Sequence, residues 1–221
     1  MIGYPPYTAP EASHRYVLDS VRETDRKRFL AALFAPEPAR RGLLALLAFD
    51  HELSRTRFVT REPMLARIRL EWWREASAEA VGNGTPRAQP VVESLSETVR
   101  RYTLASEALV ALVDAREEEV EGALDVLRAG GALADLQLAV LEVNDAPTRE
   151  AAHAVGAAWL MGEGPERATL LAEARALRNR IDLRALPILL PALTLDRRAD
   201  RPLSRWRVPL AYWWAARRGR Y

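Results

Sequence analysis

The chain has 221 residues, 49% hydrophobic and 28% charged, which suits one globular domain that buries most of its apolar surface. It has no cysteine, so disulfides, thiolate metal sites and cysteine nucleophiles are excluded. The formal charge is +2 and the pI about 9.2, with Lys27 the only lysine; the arginines lie scattered among acidic residues, which argues against a nucleic-acid partner.

Strand signals are almost absent and helical periodicity runs nearly throughout, so the chain reads as all-α. Pro5, Pro6 and Pro10 make residues 1–10 an extended arm. A helix follows over 12–22, and Asp25 has the character of an N-cap for the next, which carries Phe29, Leu30, Leu33 and Phe34. Pro36 and Pro38 break that helix. Two central helices come next and meet at Thr60-Arg61-Glu62-Pro63, where Pro63 fits a first helical turn because its missing N–H is not needed there. In the first of them Leu43, Leu46, Phe49 and Leu53 mark one apolar face. In the second, Met64, Leu65, Ile68, Trp72 and Trp73 do the same, with one tryptophan expected in the core and the other on a cavity or partner surface. The loop 82–90 is the clearest break, yet too short for a domain boundary, so 1–221 reads as one domain.

Helices over 91–102 and 106–121 follow, the latter with Leu109, Leu112, Val113 and Val120 as its buried stripe. A helix over 124–143 holds Gly130-Gly131, which cost a helix interior about 1 kcal/mol each unless a neighbour approaches closely or the helix bends. Further helices are expected over 148–161, with Gly156, and over 166–181. The apolar run 186–195 carries Pro187 and Pro191, and a C-terminal helix spans 202–218.

Few residues carry obvious chemistry. His14, His51 and His153 stand far apart and in no metal-ligand spacing, and no serine elbow or phosphate-cradling glycine loop exists. Arg67 and Glu71, four apart, read as a surface pair, and Glu117-Glu118-Glu119 as a solvated helix face. The richest place is between the two central helices. There Asp50, Ser54 and Arg57 on the first can share a cleft with Arg69, Glu71 and Trp72 on the second. Arg55, Arg57, Arg61 and Arg69 could offer forked donors to a phosphate. On the last helix Trp206, Leu210, Trp213 and Trp214 form an aromatic face among Arg217, Arg218 and other arginines. That face suits a membrane or partner surface, its rings at headgroup depth. The alternative, preferred here, is a closing helix whose rings fill the core.

No apolar run approaches the ~20 residues of a membrane span, and the first residues lack the features of a signal peptide. The expected location is cytoplasmic, at most peripheral on the inner face of the cytoplasmic membrane.

Leu47-Ala48-Phe49, then Glu62-Pro63-Met64-Leu65, then Ile68-Arg69-Leu70-Glu71-Trp72-Trp73-Arg74, resembles the squalene/phytoene synthase family. Arg28-Phe29-Leu30-Ala31-Ala32-Leu33-Phe34-Ala35-Pro36 fits the family's entry to this region. Echoes follow in Leu112-Val113-Asp114-Ala115-Arg116, in Val155-Gly156-Ala157-Ala158, over 186–191, and in a tail over 213–221 similar to that of bacterial members. The resemblance implies the all-α isoprenoid synthase fold. In catalytic members it also implies two prenyl diphosphates held through Mg²⁺ by two aspartate-rich motifs, as befits a cation bound by carboxylates and phosphates together.

Where the first motif, DDxxD, belongs, this chain has Ser54-Arg55-Thr56-Arg57-Phe58. Two like charges ~4 Å apart repel by roughly 4 kcal/mol at an effective dielectric of about 20. Where the second belongs it reads Trp159-Leu160-Met161-Gly162-Glu163-Gly164. Asp50 and Glu52 lie upstream and, two residues apart, point in different directions. The resemblance then implies the family's non-catalytic branch, which serves assembly of respiratory complex I. That reading carries no cofactor, and its partner is a complex I subunit or assembly intermediate. Two alternatives stay open. One is a prenyltransferase with an unrecognised acidic site and Mg²⁺; the other is a metal-independent binder of a lipid or prenyl phosphate.

Overall fold

The computed structural model describes residues 8–59, 62–195 and 206–221. Among the described residues every regular element is helical. In chain order these are α1 (Glu11–Thr24), α2 (Arg26–Ala32), α3 (Glu37–Ser54), α4 (Thr56–Val59), α5 (Pro63–Val81), α6 (Pro90–Tyr102) and α7 (Ser106–Glu121). Then come α8 (Val126–Val140), α9 (Ala146–Leu160), α10 (Pro165–Ala176), the short α11 (Leu186–Leu189) and α12 (Arg207–Arg217). The run over 186–195 is not one helix. Pro187 and Pro191 withhold amides, and the chain makes α11 between two 3-10 segments, Leu183–Ala185 and Leu190–Thr194. The expected start of the last helix, 202–205, and the first seven residues of the arm lie outside the described residues.

Contacts gather the chain into two compact units. The first holds α1, most of α3, and α4 to α7. Here α5 lies against α6 and α7, and α1 against α6. Helix α3 is buried without a break from Gly42 to Asp50, as a helix apolar on every side should be. Trp73 meets the edge of Phe49 with ring centroids 5.7 Å apart, inside the core.

Helix α5 corrects the reading of its faces. Met64, Leu65 and Ile68, taken as part of its apolar inner face, point outward, Met64 being 74% and Ile68 61% exposed. The buried side is Ala66, Leu70, Trp73, Ser77 and Ala80. Two apolar stripes compete on this helix, and the one with small residues lets α6 and α7 come close. The larger side chains are left outside. The tryptophans divide as expected, Trp73 in the core and Trp72 at the surface.

The second unit holds α2, the first residues of α3, and α8 to α12. Asp25 caps α2 by accepting the Arg28 amide, and Asp125 and Asp145 cap α8 and α9 in the same way. Helices α8 and α9 form an antiparallel hairpin joined by a short loop, with α10 beside α9. At their crossing the backbones touch. A Cβ on Gly130 would stand 2.4 Å from the Ala157 nitrogen, and one on Gly156 2.5 Å from the Gly130 oxygen. Close approach, not a bend, is why Gly130 sits mid-helix.

Candidate functional site

The end of α3, with α4, α5 and α7, brings together most of the residues singled out between the central helices. Asp50 is buried, and the Arg116 Nη2 of α7 donates to its Oδ1 at 3.0 Å. The Arg116 Nη1 donates to Glu119 Oε2, also at 3.0 Å, and Glu119 accepts from Arg57 as well. One turn before α4, buried Glu52 takes Arg55 on Oε1 at 3.1 Å and Arg69 of α5 on Oε2 at 3.0 Å. Three carboxylates, Asp50, Glu52 and Glu119, are thus interleaved with four guanidiniums, Arg55, Arg57, Arg69 and Arg116.

Burial pulls the Arg116 pKa down, but the Asp50 charge and the hydrogen bonds that Arg116 donates to both carboxylates outweigh it and hold the group above its ordinary value. The guanidinium is therefore fixed in its charged form. Of the other candidates, Ser54 donates to the His51 carbonyl at 2.8 Å and serves its own helix end. Arg61 lies outside the described residues.

Beside this cluster, Leu65, Ile68, Trp72 and Val59 line an open groove of about 600 Å³, together with Gln89 and with Glu52 and Arg69 of the cluster itself. Arg87 lies over the Trp72 ring at 4.6 Å and fixes that wall. The Nε of Arg69 is buried without an acceptor. The groove is an apolar channel with one guanidinium edge at its side.

Two surface readings are revised here. Arg67 pairs with Glu121 of α7, and Glu71 with Arg74, so the Arg67–Glu71 pair does not form. Glu117 and Glu119 do not make a solvated face; they receive Arg74, and Arg57 with Arg116. Sequence reading named Arg116 only within a family echo and gave it no role in the site. The signal was present, since Arg116 falls four residues after Leu112 and seven after Leu109, on the buried stripe of α7. A charge in register with core positions needs a buried partner, and Asp50 is that partner.

Near the second expected motif, α9 ends at Leu160 and Arg28 stacks over Trp159 at 5.1 Å. The gap beside them, about 30 Å³, is lined by groups such as Leu133, Val155 and Ile188 and by no carboxylate. At the first position every carboxylate already faces arginine. Among the described residues no three His, Asp or Glu side chains converge as a cation cradle.

The sequence model of squalene/phytoene synthases matches residues 21–161, well over half of the chain. The chain belongs to the squalene/phytoene synthase family. A curated relative in Rattus norvegicus, NADH dehydrogenase (ubiquinone) complex I, assembly factor 6, is 30% identical over 109 residues, 49% of this chain and 32% of the relative. Its homologue in Drosophila melanogaster is 30% identical over 167 residues, 71% of this chain and 49% of the relative. The match therefore spans from about a third to about a half of the length of these relatives. Among solved structures, squalene synthase HpnC from Alicyclobacillus acidocaldarius is 13% identical, with a TM-score of 0.63 over 94% of each chain. The fold is accordingly the all-α isoprenoid synthase fold. Within it, this squalene/phytoene synthase relative has arginine–carboxylate pairs around the end of α3.

The aromatic face of the last helix also comes out differently from the preferred reading. The rings of Trp206, Trp213 and Trp214 do not fill the core; all three are exposed, and Val208 and Tyr212 are the buried residues of α12.

Proposed function

We propose that this protein is a non-catalytic assembly factor for respiratory complex I, which holds a complex I subunit or assembly intermediate and works at the inner face of the cytoplasmic membrane. One observation carries the reading. Around the end of α3 the carboxylates that a diphosphate-bound Mg²⁺ would need are each engaged by arginine, Glu52 by Arg55 and Arg69, Asp50 by Arg116, Glu119 by Arg57 and Arg116. The names of the curated relatives give the direction of the role. The outward stripe of Met64, Leu65 and Ile68 offers a surface for the partner, since exposed apolar patches of this kind mark protein contacts.

The test is complex I content in the source organism after deletion of the gene, followed by complementation. Wild-type protein restores the NADH:quinone oxidoreductase. A Leu65→Asp/Ile68→Asp variant, stable to within about 0.5 kcal/mol because both side chains already face water, does not. Intact complex I in the deletion strain would overturn the role.

The free Nε of Arg69 beside the groove favours a second reading, a metal-independent binder of a lipid or prenyl phosphate. Calorimetry with farnesyl diphosphate separates the readings. Binding without Mg²⁺ that disappears in Arg69→Ala supports the second reading, Mg²⁺-dependent binding revives a prenyltransferase, and no binding leaves the assembly role alone.

A further inference from the structure

Helix α12 buries one narrow side and presents the other to solvent. Val208 and Tyr212, one turn apart, are inside. On the opposite side stand Trp206, Leu210, Trp213 and Trp214, exposed by 81, 63, 47 and 51%. Steps of four, three and four align Trp206, Leu210, Trp213 and Arg217 on one stripe.

The end of the helix is held in place. The Arg220 amide donates to the Ala215 carbonyl at 2.9 Å and the Gly219 amide to Ala216 at 3.0 Å, with Gly219 at φ +59°. That paired cap turns the chain back on itself. Tyr221 then tucks in, 5% exposed, and its hydroxyl donates to the Ala174 carbonyl at 2.6 Å. The outward rings are therefore a fixed surface and not a frayed end.

The charge on this segment has one sign. Residues 206–221 include Arg207, Arg217, Arg218 and Arg220 and no acidic residue. Arg217 lies over the Trp213 ring at 5.5 Å and Arg218 over Trp214 at 4.9 Å, so each of these cations stands beside an apolar plate. A layer that is anionic at its surface and apolar beneath complements this arrangement at both levels.

We propose that the outer face of α12 docks on a membrane surface rich in anionic phospholipid, its tryptophans at headgroup depth and its arginines on lipid phosphates. This deepens the peripheral placement proposed above, yet its test does not involve complex I, so either reading can fail without the other. The experiment is co-sedimentation and tryptophan fluorescence of the full chain with vesicles of phosphatidylcholine, alone or mixed with phosphatidylglycerol. The chain is expected to bind the mixed vesicles, with a blue-shifted emission, and to leave them at high salt. Arg217→Gln/Arg218→Gln should lower partitioning about thirtyfold, the equivalent of ~1 kcal/mol for each arginine. Trp213→Ser/Trp214→Ser should abolish it while circular dichroism and melting temperature stay as in the parent. Equal binding by parent and variants, or no binding of the parent to mixed vesicles, would overturn the proposal. So would a dimer in sedimentation velocity that Trp213→Ser/Trp214→Ser dissociates, because the face would then join two copies of the chain.

Discussion

Arg116 is 5% exposed and joined to both Asp50 and Glu119, which makes it the residue whose loss should cost most. Without that guanidinium, Asp50 and Glu119 lose their shared donor in a place water hardly reaches. Arg116→Met should lower unfolding free energy by about 3–5 kcal/mol in urea titration.

Tyr221 gives a second expectation, one in pH. Burial pushes its phenol up to about 12 from an ordinary 10.0. Above pH 10 the unfolded chain releases the proton that the folded chain still holds, so the stabilisation is complete below that point. It declines as pH rises towards about 12. Tyr221→Phe should flatten alkaline unfolding over that window and cost about 1 kcal/mol at neutral pH through the lost hydrogen bond. Neither residue was identified from sequence as structural. Arg116 reads as one charge among many until Asp50 is seen opposite it, 66 residues away.

Among the elements, the α8–α9 hairpin has the least room for change. Gly130→Ala would drive a methyl into the Gly156–Ala157 backbone. Overpacking of this kind costs about 1–3 kcal/mol, and a clash with backbone belongs at the upper end, read as a drop in denaturant midpoint with an unchanged slope. Periodicity located these helices well. The span 106–121 matches α7 end to end, and the aspartates at 25, 125 and 145 cap as such residues should. What periodicity could not decide was which of two stripes on α5 turns inward. Bulk suggested Met64, Leu65 and Ile68, whereas packing against two neighbouring helices selected the side with Ala66 and Ala80. A similar limit applied to α12, where large rings suggested core and burial fell to Val208 and Tyr212.

Across the whole molecule, the family was legible because its signature lies in local strings, Leu47-Ala48-Phe49 and the Trp72-Trp73 helix, which sit inside the matched span 21–161. The fold extends beyond that span, held with only 13% of residues shared, since helix packing asks for volume and pattern and little identity. The candidate site was legible in part. Arg55 and Arg57 stood out as arginines where acids belong, but the α7 members are distant in sequence and only the folded chain assembles them. The contact of Gly130 with Gly156 has one more consequence. Helices that meet through side chains can slide by a turn and repack. Here a one-turn slip would set Val126 or Ala134 against Gly156, and a Cβ would meet backbone where none fits. The hairpin is a latch with a single notch, so any shape change this protein makes on meeting a partner must be sought elsewhere in the chain.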